Sequence, residues 1–177
     1  MKVGDVYLYV KGRDVCASRI KNISDDFIYT DDVKVWSWGI SSIEDMIYDN
    51  NPEFEAERKL VKASIYDELL AVFQSHLERI QLTIEMNAQP IGEIEIGKSY
   101  TDGIYLYQIE GKEDGFWEYW YKSINESEIE LGGKWSKSKE YKFADAMTSL
   151  LPDYVVKEID EMLDEILDEV VKIVSEA

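Results

Sequence analysis

What the chain lacks narrows it first. One cysteine, Cys16, in 177 residues excludes an internal disulfide and points to a reducing compartment. One histidine, His76, leaves no Cys/His zinc cluster and no nucleophile–histidine pair that chemistry could rest on. No stretch approaches the roughly 20 apolar residues of a membrane span. The opening MKVGDVYLYVKGRD carries Asp5 and alternating tyrosines where a secretion signal would run apolar. The expectation is a soluble, cytoplasmic protein. Basic residues are scarce too: 19 Lys and Arg stand against 37 Asp and Glu, for a net charge of −18. Such a field repels nucleic acid and anionic membranes, whose binding depends on Lys and Arg displacing counterions. It attracts a basic protein.

The negative charge is concentrated. From Asp153 onward nine carboxylates face two lysines, a net −7. The segment repeats apolar–Asp–Glu–apolar as IDEM, LDEI and LDEV, with Val156, Ile159, Leu163, Ile166, Val170 and Ile173 at helical spacing. This predicts a long amphipathic helix opened by Pro152. On its outer side Asp160, Asp164 and Asp168 form one i, i+4 ridge, and Glu161, Glu165 and Glu169 form a second. Like charges at that spacing cost a helix roughly 0.2–0.5 kcal/mol per pair. Carboxylates about 6 Å apart along the axis, from the 1.5 Å rise, approach the spacing of phosphates on a DNA strand. Solvation alone accounts for an acidic face; docking of a basic partner accounts for one built against its own stability.

Before this helix the chain reads as strands and turns. VYLY at 6–9 is echoed by IYLY at 104–107, and KNISDDFIYTDDVKVWS from Lys21 aligns with KSINESEIELGGKWS from Lys122. Trp36 then falls on Trp135 and NPEF at 51–54 on LPDY at 151–154, at offsets of 98–101 residues. This predicts an α+β protein of two diverged tandem units, 1–87 and 91–177, each an antiparallel meander followed by helices. In the first unit strands are expected near 3–10, 14–23, 27–30 and 33–36, with turns at Asp25-Asp26 and Asp31-Asp32. A short helix capped by Ser41 or Ser42 follows, then a long helix from Asn51-Pro52 to about Asn87. In the second, strands are expected near 91–99, 103–110, 115–124, 127–131 and 134–136, with a short helix near 143–149.

GEIEIGKS at 92–99 satisfies the phosphate-loop pattern G-x-x-x-x-G-K-[ST] letter for letter. Its context contradicts it. Glu93, Ile94, Glu95 and Ile96 alternate as a strand does, the glutamates oppose a phosphate, and Tyr100-Thr101-Asp102-Gly103 is a turn where the cradle requires a helix. No cofactor, metal ligand set or catalytic residue is assigned. Carboxylates are plentiful enough for a two-carboxylate hydrolase, but Glu126, Glu128 and Glu130 read as the solvent side of a strand and specify no metal loop.

FWEYWY at 116–121 places Trp117, Tyr119 and Tyr121 on one strand face and Phe116 and Trp120 on the other. Large residues on both faces predict a sheet covered on both sides; an open face would form a protein hot spot. The function expected is non-enzymatic: an acidic protein that inhibits or sequesters a basic, nucleic-acid-acting partner by phosphate mimicry. Phage-encoded inhibitors of restriction or CRISPR nucleases and immunity proteins of nuclease toxins work in this style. Its candidate contacts are Asp160, Glu161, Asp164, Glu165, Asp168, Glu169, Trp117, Tyr119 and Tyr121. The alternatives are an adaptor module with a solvated acidic face, and a carboxylate-based hydrolase or ligand-binding domain.

Overall fold

The computed structural model describes residues 1–12, 14–35, 40–49, 52–123, 128–129 and 134–177, with the backbone alone at 40–49, 52–53 and 128–129. The chain is α+β. Strands β1 (Val6–Lys11), β2 (Asp14–Ile23), β3 (Phe27–Val35) and β4 (Ile40–Asp49) form an antiparallel meander. A short helix α1 (Pro52–Glu57) leads to β5 (Lys59–Val61), which returns to pair with β1, and then to the long helix α2 (Ser64–Asn87). The second half repeats the plan. β6 (Ser99–Thr101), β7 (Tyr105–Glu113), β8 (Phe116–Ser123), β9 (Glu128–Ile129) and β10 (Lys134–Lys139) precede α3 (Glu140–Ala146). β11 (Ser149–Leu151) pairs back onto β6, and α4 (Asp153–Ser175) follows.

The strand orders are β5-β1-β2-β3-β4-β9 and β10-β8-β7-β6-β11. Setting aside β9, both halves read as a meander whose first strand is flanked by the strand that follows the short helix. Elements in matching places begin 88–94 residues apart. By place, β1 corresponds to β6 and α2 to α4. The offset of 98–101 read from the sequence instead sets VYLY of β1 on IYLY of β7 and Pro52 of α1 on Pro152 before α4, so that register does not follow the fold. Trp36 and Asn51, also used in that alignment, lie outside the described residues. β9 leaves its own half and pairs with β4, Ile40 opposite Ile129.

Alternation decides which faces close. In the first sheet Val6, Leu8, Val15, Ala17, Val33 and Val35 point inward onto one stripe of α2 (Ile65, Leu69, Phe73, Leu77, Ile80, Ile84). The same core takes Val155, Ile159, Leu163, Ile166, Leu167 and Val170 of α4, with Leu106 and Leu151 of the second sheet. Both halves therefore share it. Each fully buried aliphatic side chain contributes roughly 1.5–3 kcal/mol. In α2 neither Pro nor Gly interrupts the run; beyond it Ala88 N–H closes on Ile84 O at 2.9 Å, and Pro90 stops continuation. α4 begins after Pro152 with Asp153 in its first turn and carries Lys172 in its last, each charge matched to the helix dipole.

Four local expectations are corrected. Asp31 and Asp32 lie inside β3, not at a turn, and Asp31 is spanned by the cross-strand cations Arg19 (3.6 Å) and Lys21 (3.5 Å). Residues 41–45 are strand β4, because ladder pairing to β3 overrides a local cap. Pro52 opens only α1, since the free edge of β1 recruits Lys59–Val61 before the chain can run on as a helix. The stretch 91–98 is irregular, and pairing begins at Ser99.

Candidate functional site

The outer side of α4 is built from its inner side. With Ile159, Leu163, Ile166 and Val170 locked in the core, Asp160, Glu161, Asp164, Glu165, Asp168 and Glu169 are all exposed. They are not equivalent. On one flank Asp160 Oδ1 accepts a 2.6 Å hydrogen bond from Lys122 Nζ of β8. On the other, Arg79 of α2 donates to Glu165 Oε2 at 3.1 Å. His76, buried between the long helices, donates through Nδ1 to Val72 O at 2.9 Å. Its Nε2 lies 3.6 Å from Glu165, and its Nδ1 3.6 Å from Glu169. Between the flanks, Glu161, Asp164 and Asp168 have no ion pair within 4.0 Å among the described residues. The crest of the helix is uncompensated negative charge; its margins fasten the helix to β8 and α2.

The aromatic stretch sorts differently from the expectation. Trp117 and Tyr119 are buried and Tyr121 is half-buried. They lie against Tyr107 and Phe143 of α3, with the Tyr119 and Phe143 ring centroids 5.1 Å apart. The Tyr119 hydroxyl bonds Ser138 Oγ at 2.7 Å, and Tyr107 donates to Asp102 at 2.8 Å. Burial and this bond to a carboxylate both push the Tyr107 pKa up, burial more. Trp117 and Tyr119 are thus core residues and not an open contact surface; α3 covers them because Phe143 faces the sheet. The exposed tryptophans of this sheet are on the opposite face. Trp120 is 45% exposed, and Trp135, directly across the ladder on β10, is 51% exposed.

The phosphate-loop match is closed to phosphate. Gly97 N–H is bonded to Ile109 O at 2.8 Å, Lys98 N–H to Glu95 O at 3.3 Å and Glu95 N–H to the Tyr100 hydroxyl at 2.9 Å. Three of the amides a cradle would aim at an anion are thus spent on the protein itself, and Ser99 enters a strand.

One constellation was missed. On the face of the first sheet away from α2, a polar row lies fully buried: Cys16, Ser18, Thr30 and Asp32. Thr30 donates to Asp32 Oδ1 at 2.7 Å, and the Cys16 thiol to Oδ2 at 3.6 Å. Burial, then the Asp32 charge, push the thiol up to about 11. Cys16 is therefore a proton donor at neutral pH and not a thiolate nucleophile. Reading β3 as one strand through Asp31-Asp32 would have put Thr30 and Asp32 on one face with Ile28. Among the described residues no group of three or more His, Cys, Asp or Glu could hold a metal ion, and no helix is long and apolar enough to cross a membrane. Compared with protein-family models, curated proteins and solved structures, the chain matches none.

Proposed function

We propose that the chain is a non-enzymatic, cytoplasmic binding protein whose α4 crest engages and blocks a basic protein surface, of the kind that nucleic-acid-acting enzymes present to phosphates. One observation carries the reading: Glu161, Asp164 and Asp168 project from a helix immobilised along its whole opposite stripe. Fixed charges need no reorganisation on binding and steer an oppositely charged partner. The like-charge cost is retained in a helix that lysines could have relieved, as when stability is traded for function. The test is capture from host lysate at low and high salt with the native chain and with Glu161→Gln/Asp164→Asn/Asp168→Asn. A partner retained at low salt, released at high salt and lost in the triple variant supports the proposal. Undiminished capture by the variant overturns it.

A structural role for the acidic face is the second reading. Asp160, Glu165 and Glu169 favour it, since each already meets a basic group of the chain itself. The triple variant leaves those three in place, so it separates the crest from the fastened margins.

A further inference from the structure

We infer that the partner docks an arginine-bearing segment into the corner between α4 and the exposed face of the second sheet, with Trp120 and Trp135 as its aromatic anchor. This rests on the reading of α4 given above and adds a second, chemically distinct contact to it. Trp120 and Trp135 face each other across the β8–β10 ladder, both about half exposed. Paired indoles open to solvent are the residues most enriched at binding hot spots. Lys122 lies on the same face of β8 two residues on, so roughly 7 Å away along the strand, and its ammonium is bound to Asp160. The indoles and the acidic flank of α4 are therefore adjacent, with Lys122 between them neutralised. On the far side, Lys137 sits opposite Glu118 and its ammonium lies 5.5 Å from the Phe116 ring centroid, which turns its charge away from the indole row.

Aromatic faces beside carboxylates match arginine better than lysine. The guanidinium stacks flat on an indole and is more weakly hydrated, while its edge donates in a fork to a carboxylate. Nucleic acid would stack on the same indoles, but the adjoining crest repels it.

Fluorescently labelled nona-arginine and nona-lysine, equal in charge, are titrated at about 50 mM salt, where screening is weak. The native chain should bind nona-arginine about five- to tenfold more tightly, from two cation–π contacts. Trp120→Ala/Trp135→Ala should bring the nona-arginine affinity down to that of nona-lysine, whereas Glu161→Gln/Asp164→Asn/Asp168→Asn should weaken both peptides. Equal affinity of the two peptides for the native chain overturns the indole anchor, whatever the folding state of the tryptophan variant. If the charge variant still weakens both, the reading of α4 survives that failure. If neither peptide responds to the charge variant, both fall.

Discussion

Neutralising the crest of α4 should make the protein more stable. Glu161→Gln/Asp164→Asn/Asp168→Asn removes the repulsions Glu158–Glu161, Asp160–Asp164, Asp164–Asp168, Glu161–Glu165, Glu161–Asp164 and Glu165–Asp168, all at i, i+3 or i, i+4 spacing on one helix. It also removes two attractions of the same spacing, Lys157–Glu161 and Asp168–Lys172. At roughly 0.2–0.5 kcal/mol per exposed pair, the balance is a gain of about 0.8–2 kcal/mol. For a chain of this length that raises Tm by about 2–8 °C. Glu165→Gln should gain nothing comparable, because it relieves repulsion but gives up the 3.1 Å contact to Arg79 and the approach of His76. That pair is half exposed and contributes at most about 1 kcal/mol. Urea unfolding followed by circular dichroism, at about 0.05 and 0.5 M salt, measures both variants. The gain of the triple variant should shrink at the higher salt as the native repulsions are screened. A triple variant less stable than the native chain, or a gain indifferent to salt, would refute the picture of a self-repelling crest.

The two tryptophans of one strand should part company: Trp117→Ala, in the core at 9% exposure, should cost about 3–5 kcal/mol, while Trp120→Ala stays within about 1 kcal/mol in the same urea titration. Tyr66 is fully buried with its hydroxyl unbonded among the described residues and the Arg19 guanidinium 4.3 Å from its ring centroid. Tyr66→Phe removes an orphan polar atom, so Tm should hold or rise, and a fall of several degrees would mean the hydroxyl has a partner. The raised thiol of Cys16 makes the fold alkali-sensitive. Its folded pKa exceeds the unfolded one, so its contribution is full below about pH 9 and is lost between about 9 and 11. Two pKa units amount to about 2–3 kcal/mol. Cys16→Ala should flatten the stability profile across that window in pH-dependent unfolding.

The acidic helix was legible because its period, its proline and its charge all point the same way; the observed α4 begins within one residue of the expected start. The exposure of its six carboxylates follows from the same pattern. Elsewhere sequence-local signals lost to pairing. Ser41 and Glu44 can cap a helix, yet the long edge of β3 claims that segment as a strand. Asp31-Asp32 resembles a turn because paired aspartates favour one, but Arg19 and Lys21 opposite Asp31 hold the strand through it. FWEYWY was right in its alternation, but its two bulky faces predicted cover on both, and only the Trp117 face closes, under Phe143, while Trp120 stays exposed. The correspondence of the halves was read through strand motifs and placed one strand out of step. We propose that the halves arose by duplication at a spacing of about 90 residues, the spacing at which their elements match in place.

The seat of α4 has a consequence for how the protein is made. Val6 and Leu8, near the start of the chain, share one core with Ile166 and Val170, near the end of the described sequence. During synthesis the first sheet can cover α2 on one side, but the surface that α2 and the sheet turn toward α4 waits until some seventy more residues have been added; at about 5–20 residues per second that is several seconds. Contacts so remote along the chain also make for slow closure. The nascent first half thus holds an incomplete core for that interval, closed by the arrival of the helix that bears the negative charge.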